Sequence, residues 1–506
     1  MEKVNKSIIP RFVTHVTTTL EEAGFEAYLV GGCVRDLIMG RMPYDWDITT
    51  NAHPEKIQEI FRELKTVYEN TFGTVTVINI PADLENREIS VSRENEEKVQ
   101  ITTYRSEGKY SDTRHPDAVS YETDIKKDLE RRDFTINAIA LDPIKDTIVD
   151  PFDGIKDIKD KMIKAVLYPS KRFKEDALRM LRAVRFAAVL NFSIDPTTLY
   201  AIEQNNELLK HISEERIREE FLKIINSSAP AFGISLLEKT NLLRWIIPEL
   251  YEGIGCEQKG AHVYDVYHHL LHALQHAADK GFSTEVRLAT LFHDIGKPRT
   301  RRWDGSKASG KGKYTFYGHE VVGAKMTKII MDRLKFSREN VSRVTNLVRN
   351  HMFFSDTEQI TLSAVRRIIQ KVGAENIWLL MQVRECDRVG MRKVEAPYRL
   401  RKYHAMIEEA LHDPISVGQL KIDGNYLINE LHMKPGPRMG WILHALLEEV
   451  LENPAANTTE MLSERAKDLD KLEDAHLKKL GEKGEEKKEE LQEQEIQKLH
   501  EKHGVK

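Results

Sequence analysis

Ala27-Tyr28-Leu29-Val30-Gly31-Gly32-Cys33-Val34-Arg35-Asp36, followed shortly by Asp45-Trp46-Asp47, decides the reading of this chain. The apolar run Ala27 to Val30 predicts a strand that closes on the paired glycines, and Val34 to Met39 predicts a helix after it. Glycines at a strand-to-helix turn let phosphate oxygens approach backbone N–H groups, and a helix N-terminus adds partial positive charge. Asp45 and Asp47 stand one residue apart, so in a strand both carboxylates point to the same face. Two carboxylates on one face, beside a phosphate cradle, can hold a Mg²⁺ ion for phosphoryl chemistry. Either run alone reads as a turn; in this order, within one strand–helix–strand unit, they point to a phosphoryl-transfer head.

The remainder bounds the problem. A chain of 506 residues is too long for one core, and its length suggests about three domains. Apolar residues make up 41%, enough for globular cores. No uninterrupted apolar stretch of about 18 residues occurs, so no membrane span is expected, and Met1 to Phe12 lacks a signal-peptide core. Cys33, Cys256 and Cys386 are scattered without a Cys-x-x-Cys pair, which fits a reducing cytoplasm and argues against a cysteine zinc site. The net charge of −4 carries no information about nucleic acid, because a large chain can be near neutral and still bear a basic stripe.

Residues 14 to 150 read as mixed α/β, with strand-like runs at Val75 to Ile78 and Val99 to Tyr104. Arg105 to Asp117 is polar without periodicity and reads as a mobile loop. From Lys174 to Pro248 apolar residues recur at helical spacing, as in Leu178, Leu181 and Val184, with Pro230 and Pro248 as helix boundaries. Helices also dominate from His262 to Leu411 and from Val417 to Leu451. Beyond Pro454 the chain is rich in Lys and Glu and reads as a solvated helix or a disordered tail.

Further runs follow in a fixed order. They are Arg131-Arg132-Asp133-Phe134-Thr135-Ile136-Asn137-Ala138, Asp150-Pro151-Phe152-Asp153-Gly154, Glu175-Asp176-Ala177-Leu178-Arg179-Met180-Leu181-Arg182-Ala183-Val184-Arg185-Phe186, and Glu215-Arg216-Ile217. With the opening motif they resemble the bacterial tRNA nucleotidyltransferase and poly(A) polymerase family over residues 20 to 250. Asp176, Arg179, Arg182 and Arg185 are spaced by three and would drift slowly round one helix face. Asp accepts and Arg donates hydrogen bonds, so such a pair can meet the Watson–Crick edge of cytosine or adenine.

The resemblance implies that Asp176 and Arg179 select CTP or ATP, with Arg182 and Arg185 supporting the base or the phosphates. It also implies that Asp45 and Asp47 hold Mg²⁺, Gly32 and Arg35 hold the phosphates, Arg132 faces the leaving pyrophosphate, and Asn137 orients nucleotide or sugar. A third carboxylate is expected on the strand before the loop, yet that strand carries Gln100. Poly(A) polymerases of the family usually carry a Gly-Arg-Arg-Phe-like run after the Asp-x-Asp unit. Phe72-Gly73-Thr74-Val75 and a full-length loop instead favour complete CCA addition over poly(A) synthesis or partial (CC- or A-only) addition.

A second constellation occupies residues 262 to 390. Asp265-Val266-Tyr267-His268-His269 opens a helix; then come His293-Asp294-Ile295-Gly296-Lys297-Pro298, His319, His351 and Asp387. Imidazoles and carboxylates suit Mn²⁺, Ni²⁺, Fe or Zn²⁺, and the two oxygens of Asp294 could bridge two ions. His268, His269, His272 and His276 crowd the first segment. The set resembles the HD phosphohydrolase superfamily. Its helix start favours His269 as the first of six ligands with His293, Asp294, His319, His351 and Asp387. The resemblance implies hydrolysis of phosphomonoesters or 2′,3′-cyclic phosphates. Arg299 to Tyr314, rich in Lys, Arg, Gly and Ser, reads as a loop able to guide an RNA end or nucleotide.

The expected architecture is an α/β, polymerase-β-like nucleotidyltransferase head (1–160) followed by mostly α-helical parts. These are a neck and body (161–255), an HD domain (256–395), a small C-terminal RNA-binding unit (396–455) and a charged tail (456–506). The expected partners are tRNA, CTP and ATP, in the cytoplasm.

Overall fold

The structure, a computed structural model, describes residues 6–69, 73–79, 97–108, 119–258, 263–304, 313–352, 361–389, 397–411 and 417–480. Most of the Arg105–Asp117 segment, the middle of the Arg299–Tyr314 segment and the chain beyond 480 lie outside these residues. The chain divides into two units, Met1–Pro248 and Glu249–Lys506.

In the first unit the strands up to residue 149 are β1 (Ala27–Val30), β2 (Asp47–Thr50), β3 (Lys65–Glu69), β4 (Thr74–Asn79), β5 (Glu97–Thr103), β6 (Arg105–Glu107), β7 (Val119–Tyr121), β8 (Ala140–Asp142) and β9 (Thr147–Val149), and the short strands Met162–Ile163 and Ser193–Ile194 follow. Seven of them form one mixed sheet in the order β3-β4-β5-β2-β1-β8-β9. Within this sheet the β2–β5 pair alone is parallel, with Asp47 the register partner of Gln100. The central strands are buried, from Leu29 and Val30 to Ile48 and Ile101, as expected where both faces of a sheet are covered.

The opening motif folds much as its pattern suggests, with two differences. The helix after the glycines begins at Gly32 rather than Val34 and runs to Ile38, with Gly31 as its N-cap at φ 79. The strand carrying the acids begins only at Asp47. β1 supplies partners no further than Leu29↔Ile48, so Asp45 precedes the ladder in an exposed bend. The segment from Arg105, expected to be loop, starts as a strand: Arg105–Glu107 pairs with Val119–Tyr121.

Helices follow from Pro169 to Ile246. The expected single face carrying Asp176, Arg179, Arg182 and Arg185 is interrupted. One helix ends at Glu175 and the next spans Leu178–Leu190, leaving Asp176 extended at φ −139. The reason lies in its side chain, which accepts a hydrogen bond from the Leu178 amide at 3.0 Å. Such a bond satisfies an orphan N–H at a helix start.

Among its described residues the second unit is helical apart from the hairpin Arg302–Asp304/Lys313–Thr315, which replaces the ends of the loop expected there. Toward the C-terminus, helices Gly424–Asn429, Pro437–Glu452 and Thr459–Asp470 share one core. Leu462, Ala466, Leu469 and Leu477 are buried in it. The segment expected to leave as a tail at 456 therefore contributes a packed helix. No helix among the described residues is long and apolar enough to cross a membrane.

Candidate active site and metal centre

The first site assembles at the turn between β1 and the Gly32–Ile38 helix. A Cβ on Gly31 would lie 3.2 Å from Arg132 Nη1 and 3.8 Å from Asp47 Oδ2, so glycine keeps open a hollow between a carboxylate and a guanidinium. Gly31 also needs its positive φ, which side chains rarely adopt. Burial raises the Asp47 carboxyl above its usual range; Arg132 opposes this and Asp45 adds to it. Asp45 is thus close enough to interact electrically although it lies outside the strand. A half-buried carboxylate repelled by a second one, beside a hollow and a buried Arg132 Nε that has no partner among the described residues, suits a divalent cation with its phosphate ligands. Gln100 beside Asp47 places an amide where a third acid was sought.

Arg132 is held by a residue that the motif reading passed over. Asp128 is fully buried and accepts from Arg132 Nη2 at 3.1 Å, Arg131 Nη2 at 2.8 Å and Thr49 Oγ1 at 3.3 Å. Burial opposes its ionisation, but Arg131 and Arg132 hold its carboxyl below the usual range. The available signal was the four-residue spacing from Asp128 to Arg132, one helical turn.

A polar chain leads on from there. Arg35 Nη1 donates to Asn137 Oδ1 at 2.9 Å, and Asn137 Nδ2 donates to Asp133 Oδ1 at 3.2 Å. Arg182 grips the other Asp133 oxygen at 2.6 Å. Burial acts against the Asp133 anion, yet Arg182 and Asn137 bring its carboxyl down to about 2. Arg35, Arg182 and Arg185 all sit near the Phe186 ring, with Arg185 Cζ 3.7 Å from its centroid. Burial lowers Arg185 to about 10 although Glu220 pairs with it at 2.7 Å. Asn137 is placed by a close approach below it: Asp150 caps the Gly154 amide at 2.7 Å, and a Cβ on Gly154 would fall 2.2 Å from the Thr135 carbonyl.

The structure brings Arg35, Arg132, Asn137, Arg182 and Arg185 into this network around the Gly31–Gly32 turn. Asp176 and Arg179 have other partners. Asp176 Oδ2 pairs with Arg216 at 2.8 Å. Arg179 is buried, donating to Glu175 at 2.9 Å and to the Arg131 carbonyl at 3.1 Å. The last bond ties it to the segment that carries Arg132.

The second site lies within the other unit. His269, His293, Asp294 and Asp387 offer ligand atoms within 4.8 Å of one another, and Asp294, His319 and His351 do the same. All six are buried. Asp294 belongs to both groups: its Oδ2 lies 3.3 Å from His293 Nε2 and its Oδ1 lies 3.2 Å from His319 Nε2. The Nδ1 atoms of His293, His319 and His351 lie 2.7–2.8 Å from the carbonyls of Thr290, Phe316 and Val348. Each such bond places a ring proton on Nδ1 and turns Nε2 inward. His269 and His293 Nε2 are 3.2 Å apart, and those of His319 and His351 are 3.3 Å apart. Ring nitrogens facing at these distances need a proton or a cation between them, so this donor set suits a centre able to hold two ions, with Asp294 common to both ligand groups.

The neighbouring histidines are placed differently. His268 is exposed against Asp265, His272 stacks on Tyr264, and His276 faces Glu385. Lys297, quoted in the motif without a role, sits 2.5 Å from Asp294 Oδ2 and 2.6 Å from Gln258 Oε1. Burial disfavours the charged His293, but Asp294 and Asp387 raise it to about 10. Gly296 lets the two halves of the centre meet, because a Cβ there would lie 2.3 Å from the His319 carbonyl and 2.6 Å from the Gly323 amide.

Comparison with known proteins agrees with this division. Residues 27–164 match the poly A polymerase head domain, 191–253 the probable RNA and SrmB-binding site of polymerase A, and 261–391 the HD domain. The CCA-adding enzyme of Lactobacillus helveticus is 32% identical over 457 residues, covering 90% of this chain and 96% of that protein. The CCA-adding enzyme of Ligilactobacillus salivarius is 32% identical over 451 residues, covering 89% and 94%. Among solved structures, the Bacillus stearothermophilus CCA-adding enzyme in complex with CTP superposes with a TM-score of 0.66 at 25% identity, covering 93% of this chain and 98% of the other. The Thermotoga maritima CCA-adding enzyme complexed with tRNA shares the fold, with a TM-score of 0.55 at 20% identity, covering 92% and 97%. A nucleotidyltransferase head, helical domains behind it and a buried histidine–aspartate centre, matched along nine-tenths of the chain, show that it belongs to the CCA-adding enzyme family of the tRNA nucleotidyltransferase and poly(A) polymerase group, with an HD domain.

Proposed function

We propose that this chain adds CCA to the 3′ end of tRNA from CTP and ATP without a nucleic-acid template. We propose further that its HD domain hydrolyses 2′,3′-cyclic or 2′-phosphates. The observation that carries the first reading is the hollow kept open by Gly31 between Asp47 and Arg132. Asp45 and Asp47 would hold Mg²⁺, which when bound lowers the pKa of the RNA 3′-hydroxyl and neutralises the triphosphate. Gly31 and Gly32 let the phosphates approach the helix start, while Arg35 pairs with them. Arg132, held by Asp128, meets the charge growing on the leaving pyrophosphate. Asn137 orients the sugar from its position between Arg35 and Asp133. For Asp176 and Arg179 to read the base, their bonds to Arg216 and Glu175 must be exchanged for bonds to cytosine or adenine, and both partner groups are polar enough to be released to water.

The converging Nε2 atoms support the second reading. Metal ions of the Mn²⁺, Ni²⁺, Fe or Zn²⁺ class, held by His269, His293, Asp294, His319, His351 and Asp387, would supply Lewis acidity for activating water and phosphate. Lys297 beside Asp294 adds positive charge where a phosphate would lie. The two activities make chemical sense together, since an RNA end blocked by a phosphate cannot be extended until the phosphate is removed.

Incubating the protein with tRNA lacking CCA and labelled CTP or ATP tests the first reading. Incorporation of two C and one A per tRNA is expected. Long A tracts would instead indicate a poly(A) polymerase, and arrest after C or A alone a partial enzyme.

A further inference from the structure

Between Asp294 and His319 the chain runs through the hairpin Arg302–Asp304/Lys313–Thr315, in which Trp303 stands directly opposite Tyr314. Cross-strand partners share a face, and residues two apart along a strand return to it. Trp303 and Tyr314 therefore lie on one side, with Arg301 and Phe316 adjoining the strand ends. The Trp303 and Tyr314 rings meet edge to face at 4.8 Å, and Arg301 Cζ lies 3.6 Å over Tyr314. Lys297 Nζ lies 5.7 Å from the Phe316 ring and 2.5 Å from Asp294 Oδ2. Aromatic rings and cations thus follow one another from exposed Trp303 to Asp294, the carboxylate common to the two ligand groups. A cross-strand aromatic pair by itself explains why the hairpin holds together. It does not explain why the tryptophan stays 55% exposed at the outer end of this row.

We propose that this row seats the last nucleotides of a single-stranded RNA 3′ end, bases stacked on the Trp303–Tyr314 pair and terminal phosphate at the metal centre. The proposal rests on the phosphohydrolase reading of that centre. Every base has a face for stacking, and arginines beside the rings meet the backbone phosphates, the combination used for sequence-independent single-strand binding. An RNA chain fits better than a free nucleotide because of length. Two residues of strand span about 7 Å, so the Trp303–Tyr314 pair lies a further step out than Phe316. A terminal nucleoside would occupy the inner step and its neighbour the outer one.

The test compares hydrolysis by the full-length protein, with added Mn²⁺ or Ni²⁺, of a ten-nucleotide RNA ending in a 2′,3′-cyclic phosphate and of a 2′,3′-cyclic mononucleotide. Trp303→Ala should raise KM for the oligonucleotide about tenfold or more, and raise KM for the mononucleotide by a clearly smaller factor; Trp303→Phe should restore most of the loss. Equal factors for both substrates, or an unchanged oligonucleotide KM, would overturn the proposal. A second readout needs no hydrolysis. An RNA with 4-thiouridine as its penultimate nucleotide should photocrosslink to the peptide containing Trp303 or Tyr314. Crosslinking there without any turnover would keep the platform and sink the phosphohydrolase reading; turnover without crosslinking would do the reverse.

Discussion

Gly296→Ala offers a sharp test of how the HD centre is built. The added carbon would sit 2.3 Å from the His319 carbonyl oxygen and 2.6 Å from the Gly323 amide nitrogen. Ordinary contact begins near 3.4 Å, so the shortfall against the His319 oxygen is 3.4 − 2.3, about 1.1 Å. Both opposing atoms are backbone, and neither can rotate aside. The helix His319–Arg333 must therefore shift by roughly an ångström, carrying His319 away from Asp294, which it now meets at 3.2 Å. Overpacking of this kind costs about 1–3 kcal/mol, on the order of 5 °C in the melting of a unit this size. A displaced ligand should also weaken metal binding by roughly tenfold or more. Gly440→Ala is the internal control. Gly440 lies within the helix Pro437–Glu452 with nothing inside 4 Å of an added Cβ, so the same change should stabilise by about 0.5–1 kcal/mol. Melting curves and calorimetric titration with Mn²⁺ or Ni²⁺ read both quantities. A Gly296→Ala protein with unaltered melting and metal affinity would refute the close-approach argument.

Other perturbations separate the remaining claims. Asp47→Ala should leave the fold intact and reduce incorporation of both CTP and ATP by roughly a thousandfold or more; a folded variant with normal incorporation would remove Asp47 from the reaction. Arg179→Ala should flatten discrimination among the four triphosphates by about 1–3 kcal/mol, read by nucleotide competition, and an unchanged ranking would leave Arg179 as a structural tie between Glu175 and the Arg131 carbonyl. Asp294→Ala should abolish hydrolysis of a 2′,3′-cyclic phosphate while CCA addition to an unblocked tRNA continues, and adding back Mn²⁺ or Ni²⁺ after chelation should restore hydrolysis only in the unmutated protein. Because the folded Asp133 carboxyl is depressed to about 2, its ion pair with Arg182 stabilises the head fully above the ordinary carboxylate range near 4, and that contribution disappears as pH falls toward 2. Asp133→Asn should be less stable at pH 7 and show a flatter acid limb in pH-dependent denaturation.

How much of this was legible in advance depended on whether a residue's partner was local. The Ala27–Val30 strand and its glycine turn were readable because apolar run, glycines and following helix are contiguous. The Asp45–Asp47 strand was read two residues too long, since where the ladder stops is decided by β1, seventeen residues or more upstream. The spacing of Asp176 and Arg179 looked helical because spacing cannot show that an aspartate caps the next helix instead of joining the last one. His269 stood among four candidate histidines; tertiary burial distinguishes it, while His268 on the same turn faces solvent. The hairpin around Trp303 was hidden by a composition of glycine and lysine that reads as loop. The packing of the Thr459–Asp470 helix, expected as a solvated helix or a disordered tail, was hidden by its charges, although Leu462, Ala466 and Leu469 recur at helical intervals.

The six histidine and aspartate side chains of the HD centre come from positions spread between His269 and Asp387, on separate helices or at their ends. An ion bound among them would act as a mechanical clip, fastening distant stretches of chain at a single point. Any cation that binds the folded unit and not the unfolded one adds stability that grows with its free concentration, about 2.7 kcal/mol at a hundred times the dissociation constant. Without it, protons and Lys297 alone must compensate the two buried carboxylates at the middle of the unit. Metal supply would then govern more than catalytic turnover: a cell starved of the right ion would hold a population of this chain that opens more often and is cut by proteases sooner, with its nucleotide-adding head still attached.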